Sequence, residues 1–356
     1  MKRVVLWLLM AMACFHVSAS TLPDNFAELP ADVQALLLEY AFFDERVSRH
    51  WGPQANPARA TAYVKYLDDY LSRARIDFEA GTLVVETLAS GEPKKQLSEA
   101  IISALLTPDD PNAVDIYSAQ DIKASSEPFL LGRVLDGEGQ AIKFRWRAQQ
   151  FAQQLLAEKL RIIESPQGWL YRVTIPLVGN HQQVAAKGIQ AWVSAASTRF
   201  NLPRSLILAI IETESGFNPF AVSPTNAYGL MQIIPSTAGK DVFQKIYQRK
   251  GQPSRQYLFD ARQNINTGSA YLSLLRDRYL RGIKHPTSQL YCIISAYNSG
   301  AGNVLKAFHS HRGKAIERIN SLSVEDVLWR LRKKNPSLEG RRYLEKVLRN
   351  QQKHRA

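Results

Sequence analysis

The sequence is poor in cysteine, has no long basic run before its tail, and carries no metal-finger spacing. Two cysteines among 356 residues cannot supply a disulfide framework, so a packed core must hold the fold. The apolar run Val4–Phe15 is too short to span a bilayer. It follows Lys2 and Arg3 and precedes the small residues Val17 and Ala19, the layout of a secretory signal. Residues 1–19 are therefore predicted to be removed on export. The alternative is that Cys14, in "AMAC", becomes a lipid-bearing N-terminal cysteine, although Ala11 stands where such signals usually carry leucine. Cys292, in the apolar segment "LYCIISAY", reads as a small core residue. The seven histidines, His309 and His311 included, show no ligand spacing with carboxylates or cysteines, so neither metal nor cofactor is expected.

What remains is a chain with 45% hydrophobic and 22% charged residues, enough apolar matter for one or two globular units. Its formal charge of +13 suits a polyanionic partner, and nucleic acid is not indicated by any motif. Positive charge concentrates in "WRLRKKNPSLEGRRYLEKVLRNQQKHRA", whose plainest reading is a solvated helix face. The other reading is attraction to an acidic polymer or a membrane surface.

Residues 20–56 read as a helical lead-in. Residues 57–183 mix periods and predict an α+β unit with two hairpins, one at Glu79-Ala80-Gly81 and one at Asp136-Gly137-Glu138-Gly139. Between them "SEAIISALL" is helical. "RAQQFAQQLLAEKLRIIE" reads as a helix running into the strand "GWLYRVTIPLV". No chemically useful cluster appears there, which points to a binding or docking role. From residue 184 to 356 the helical period takes over, giving an all-α C-terminal unit.

That unit contains the sharpest question in the sequence, two glutamates at the end of "ILAIIETESGFNPF". Helical spacing puts Ile207, Ile210, Ile211 and Phe217 on the face of Glu214, and Ser205, Leu208 and Ala209 on that of Glu212. Glu214 is predicted half buried and Glu212 solvated, pointing roughly 200° apart. A buried carboxyl group resists ionisation and can serve as a general acid near neutral pH. Its plain alternative is a capping or paired core residue. Asn218-Pro219 ends the helix and opens the acid onto a loop. Glycosidic cleavage ordinarily uses two carboxyls about 5–9.5 Å apart, which this pair cannot supply. Asp241 and Asp260 look solvated or capping.

The segments "ETESGFNPFAVSPTNAYGLMQI", "NINTGSAYL" and "ISAYNSGAGNV" follow in this order. Together they resemble the catalytic domain of bacterial lytic transglycosylases of the soluble lytic type, which implies a lysozyme-like fold. "EGRRYLEKV" looks like that family's last motif, with Gly340 where serine or threonine is usual. "ATAYVKYLDDYLSRARIDFEAGTLVVETL" and "EPFLLG" are similar to membrane-bound lytic murein transglycosylases of the C type, so the resemblance covers nearly the whole mature chain. It implies that Glu214 protonates the bond between N-acetylmuramic acid and N-acetylglucosamine, and then deprotonates the muramoyl C6 hydroxyl, which closes an anhydro ring. It implies sugar binding or alignment by Ser223, Gln232, Tyr297 and Asn298, and a closing motif with Glu339 and Tyr343 at the cleft edge. Ile234 departs from a methionine found in some relatives. The implied partner is peptidoglycan in the cell envelope, reached from the periplasm or through an outer-membrane tether at Cys14 or another envelope protein. Each residue has a plainer reading: Tyr297 as core, Ser223 as turn chemistry before Pro224, and Gly229, Met231 and Gly268 as backbone or packing devices. A hydrolytic muramidase and a non-catalytic wall-binding scaffold are the competing functions.

Overall fold

The computed structural model describes residues 26–28, 31–52, 55, 59–120, 127–223 and 225–355. The predicted signal and Cys14 lie outside them. Helix α1 (Ala31–Trp51) leads into three antiparallel strands, β1 (Ala62–Leu67), β2 (Ser72–Asp77) and β3 (Thr82–Thr87). Helices α2 (Pro93–Leu105) and α3 (Arg145–Glu158) precede β4 (Arg161–Ser165) and β5 (Gly168–Pro176). The sheet is antiparallel throughout, in the order β1-β2-β3-β5-β4.

Alternation along the strands gives this sheet two buried faces. Tyr63, Ile76, Leu83, Val85 and Val173 meet Leu97, Ile101, Ala148 and Ala152 from α2 and α3. Val64, Tyr66 and Leu170 meet Val47 and Trp51 from the end of α1. The helical lead-in thus packs on the sheet. Lys65, buried by its place on the crowded face, is satisfied by the carbonyls of Asp115 and Ser118 at 2.8 and 2.6 Å.

The hairpin at Glu79-Ala80-Gly81 is present, with Asp77 accepting from the amides of Glu79 and Ala80. The expected hairpin at residues 136–139 is instead a stapled turn with only an isolated bridge, Leu135 to Ala141. Asp136 holds it by accepting from the amides of Glu138 and Gln140 and pairing with Arg147, which leaves no ladder to extend. A second correction concerns Arg161–Ser165: the helical pattern stops at Glu158, and the β-branched pair Ile162-Ile163 forms an edge strand.

The C-terminal half is helical: α4 (His181–Gly188), α5 (Gln190–Phe200), α6 (Arg204–Ser215), α7 (Lys240–Lys245), α8 (Arg255–Phe259), α9 (Ala261–Leu274), α10 (Pro286–Ser299), α11 (Ala301–Lys306), α12 (Arg312–Ser321), α13 (Val324–Lys334) and α14 (Leu338–Lys353). Its core joins Ile207, Ile210 and Ile211 of α6 to Cys292 and Ile294 of α10 and Leu344 and Val347 of α14. Cys292 is fully buried, as its surroundings in sequence predict. Asp260 caps α9 through the amide of Gln263, and Asp241 pairs with Lys245 and Tyr279. The basic tail is not simply a solvated face. Helix α14 packs against both α6 and α10 and contributes core.

One close approach fixes the turn after α6. A Cβ on Gly268 would lie 2.7 Å from Met231 Cε and nearer still to the sulfur. Gly268→Ala is therefore expected to push Met231 and its turn outward and to destabilise the fold by about 1–3 kcal/mol. Guanidinium unfolding that shows an unchanged midpoint would contradict this.

Candidate active site

Helix α6 is enclosed over most of its surface, with eight of its twelve residues buried, Glu212 and Thr213 among them. The expectation that Glu212 is solvated is therefore wrong. It is 5% exposed, and its two carboxylate oxygens meet Lys353 Nζ and His354 Nε2, each at 2.7 Å. Burial alone would raise its pKa, but the hydrogen bonds and charge of these partners hold it below the ordinary value. Ala209, read as part of a mixed face, is fully buried beneath the same packing.

Glu214 sits in the last turn of α6, half buried, before the left-handed C-cap Gly216 (φ 60°). The Tyr343 hydroxyl donates to its Oε1 at 2.7 Å. Burial pushes the carboxyl up to about 7, and the negative charge of Glu339 adds to the rise. The Tyr343 hydrogen bond and the Lys346 charge pull the other way without cancelling burial. Glu212 is thus a carboxylate held by Lys353 and His354, while Glu214 is a carboxyl group poised to exchange a proton near neutral pH.

The two side chains flank Thr213, whose hydroxyl is met by Asn350 Nδ2 at 3.0 Å. Three consecutive polar residues of α6 are served by α14 and the residue after it, from Tyr343 for Glu214, through Asn350 for Thr213, to Lys353 and the following His354 for Glu212. The two carboxyl groups diverge along α14 and cannot bracket one bond.

The other expected residues gather in two sets. Tyr297, on α10, donates to the Met231 carbonyl at 2.8 Å, and burial and the nearby Glu214 charge raise its pKa well above the usual phenol value. Asn298 donates to Glu339 Oε1 at 3.0 Å across the gap between α10 and α14. Ser223 and Gln232 belong to the loop between α6 and α7. Gln232, in a left-handed conformation (φ 47°), donates to the carbonyls of Ala221 and Gly229 at 3.2 and 3.0 Å. Ser223 Oγ accepts from the amides of Thr225 and Ala227, which is the turn chemistry foreseen as its plain reading. These two are joined through Ala221 and Ala227, with no hydrogen bond to Glu214.

Sequence reasoning missed several supports. Asn264 is fully buried and fixes the turn by accepting from Met231 N and donating to the carbonyls of Tyr228 and Leu258, each at 2.8 Å. Lys346 pairs with Glu79 of the β2–β3 turn at 2.6 Å. Asn335 joins Ser295 and Ser299 of α10 at 3.0 and 3.2 Å. Gly340, the noted departure from serine or threonine, is buried where a Cβ would lie 3.0 Å from that of Ser299. The available signal was the polar stripe Glu339, Tyr343, Lys346, Asn350, Lys353, spaced four, three, four and three along one helix.

Tyr343→Phe removes the donor that favours the charged form of Glu214. Its alkaline activity limb is expected to move to higher pH, with a several-fold loss of turnover. A pH–rate profile that superposes on that of the unaltered chain would contradict the assignment.

Among the described residues no group of three or more histidine, cysteine, aspartate or glutamate side chains converges as a metal site. Nor is any helix among them long and apolar enough to cross a membrane.

The helical unit that carries the buried glutamate is matched by the model of one class, the transglycosylases with an SLT domain. A family model described as transglycosylase SLT domain matches residues 191–320, and one described as membrane-bound lytic murein transglycosylase C, N-terminal domain, matches residues 30–188. Full-length relatives are similar throughout. Membrane-bound lytic murein transglycosylase C of Yersinia pestis (strain Pestoides F) and that of Yersinia pseudotuberculosis (serotype O:1b, strain IP 31758) are each 43% identical over 357 residues, covering 100% of this chain and 99% of the relative. The chain belongs to the membrane-bound lytic murein transglycosylase C family. The 70 kDa soluble lytic transglycosylase of Escherichia coli is a looser likeness, 28% identical over 46% of this chain and 23% of that one, with a TM-score of 0.36.

Proposed function

We propose that the chain is a lytic murein transglycosylase that cuts peptidoglycan glycan strands without consuming water. The observation that carries the reading is Glu214, a single carboxyl group raised to about 7 by burial and held by Tyr343. Near neutral pH a large fraction of it is protonated, as donation to the β-1,4 glycosidic oxygen between N-acetylmuramic acid and N-acetylglucosamine requires. Tyr343 occupies Oε1, which leaves Oε2 for the bridging oxygen. Once the bond to C1 breaks, the new carboxylate takes the proton of the muramoyl C6 hydroxyl, and that oxygen closes on C1. The product is a 1,6-anhydro end. A hydroxyl on the same sugar has a high effective molarity, so no second enzyme carboxylate is needed to beat water.

Tyr297 ties α10 to the turn that carries Gln232. Both amide hydrogens of Gln232 are committed to the backbone, so its carbonyl oxygen is the group offered to a sugar N–H or O–H. Asn298 and Glu339 form a bonded pair between α10 and α14, and in this reading that pair and Ser223 meet the bound strand on either side of the acid. Residues 184–356 form the catalytic unit and residues 57–183 the accessory unit. The chain is exported to the cell envelope through its N-terminal signal, either free in the periplasm or tethered through Cys14.

Glu339 supports one second reading, a hydrolytic muramidase, because its charge acts on Glu214. Mass spectrometry of muropeptides released from purified sacculi decides between them. Anhydro ends are the expected product, and reducing ends as the main product would replace this reading with hydrolysis.

A further inference from the structure

Between Glu214 and Ser223 the route of the chain is set from outside the catalytic half. A Cβ on Gly216 would lie 3.0 Å from that of Phe78, which follows β2. Asn218 Nδ2 donates to the Ala60 carbonyl at 3.1 Å, while its Oδ1 accepts from the amide of Phe220 at 3.1 Å. Phe220 is 3% exposed and belongs to the core of the accessory unit, not to that of the catalytic one. Its ring centroid lies 4.8 Å from that of Tyr63 on β1 and 5.2 Å from that of Phe129. Val222, two residues on, packs against both cores. Lys346, whose charge acts on Glu214, also reaches the accessory unit, pairing with Glu79 in the turn between β2 and β3.

The loop needs such an anchor. Phe217 (φ 63°) and Gln232 (φ 47°) are bulky residues in left-handed conformations, each costing about 1–3 kcal/mol unless the surroundings enforce it. Phe217 is held on the catalytic side, against the core and the ring of His354. Three residues later, Phe220 turns the opposite way. The segment after the acid is therefore stretched between two hydrophobic cores, and neither end can relax without emptying one of them.

We infer that Phe220 is a positioning residue: seated in the accessory core, it fixes the segment joining Glu214 to Ser223 and makes the accessory unit a working part of the active site. This rests on the transglycosylase reading of Glu214. In that reaction the acid must meet one oxygen of a bound strand, and a displacement of about 1 Å costs on the order of 100-fold in rate.

The test uses the full mature chain with Phe220→Ala, Phe220→Leu and Phe129→Ala, the last lying wholly in the accessory unit. Turnover and KM are measured on soluble murein glycan chains, the folded fraction by near-ultraviolet circular dichroism. The Glu214 carboxyl is followed by 13C NMR titration, its signal identified by its loss in Glu214→Gln. Phe220→Ala is expected to lower kcat by about 10- to 100-fold, more than it alters KM, with Phe220→Leu recovering most of it. Phe129→Ala is expected to move kcat in the same direction. In both alanine variants the Glu214 titration falls from about 7 toward the ordinary carboxylate range as water reaches the site. A folded Phe220→Ala chain with kcat within twofold and an unmoved titration overturns the inference. So does a loss of activity that follows only the folded fraction. Should Phe220→Ala fail to fold, Phe220→Leu and Phe129→Ala decide by the same readouts. An unaltered chain that releases no anhydro ends removes the transglycosylase reading instead, while the carboxyl titration still reports whether Phe220 holds the acid in place.

Discussion

Glu214→Gln is expected to lower the release of anhydro-muropeptides by about 10³- to 10⁴-fold while leaving binding to sacculi intact. This lies at the upper end of what one acid–base group contributes, because the same carboxyl serves both proton transfers. The substitution has a second expected effect, of opposite sign, on stability. A carboxyl raised from 4.5 to about 7 holds its proton longer in the folded chain than in the unfolded one. Below pH 4.5 both forms are protonated and nothing is lost. As pH climbs through the interval the unfolded chain releases its proton first, so folding weakens, and above pH 7 the full penalty of about 3 kcal/mol applies. Glutamine cannot ionise and escapes it. Glu214→Gln should therefore be inert, more stable than the unaltered chain at pH 8 by up to this amount, and no more stable at pH 4. Guanidinium melts at both pH values, with muropeptide release alongside, check it. A variant that still digests sacculi at an appreciable rate ends the catalytic assignment.

Glu212→Gln should do the converse. The buried carboxylate compensates Lys353 and His354, and removing its charge leaves their donors facing a neutral amide. A fully buried pair would cost about 3–5 kcal/mol on breaking. Lys353 is 49% exposed and water shares its charge, so about 2 kcal/mol is expected. The sign with pH also reverses. Because the folded pKa of Glu212 lies below 4.5, its contribution is present above that value and disappears as pH falls through the folded pKa. The stability gap between variant and unaltered chain should thus close in acid. Turnover per folded molecule is expected to stay within a few-fold, since no reacting atom is within reach of Lys353 or His354 in the proposed mechanism. Equal melts at pH 7, or a loss of turnover as large as that of Glu214→Gln, would show that the two glutamates had been wrongly separated.

The contrast between these residues shows how much was legible beforehand. The stripe Ile207, Ile210, Ile211 placed Glu214 against apolar neighbours, and the chain break after it placed the acid at an opening. Those are local facts, and local periodicity carries them. Glu212 was misread because the face opposite the isoleucine stripe is also covered, by a helix that the local period does not reveal. Its partners, Lys353 and His354, lie more than a hundred residues away in sequence, in a tail whose charge suggested water. The same holds for Phe220. Nothing in "FNPFAVS" says that its two phenylalanines belong to different cores, since that depends on where β1 and Phe129 come to rest. Turn chemistry was readable at Asp77–Gly81, where a ladder follows, and misleading at Asp136–Gly139, where Arg147 closes the turn before strands can pair.

The stripe along α14 has a consequence for how the acid is assembled. Until Tyr343, Lys346 and Asn350 pack against α6, Glu214 lacks the phenol that holds it, a nearby cation, and part of the wall around it. A molecule in which α14 has not docked carries the acid in its sequence but not the surroundings that make it a proton donor. Cutting power of this design therefore depends on a contact that joins residues 129 apart along the chain.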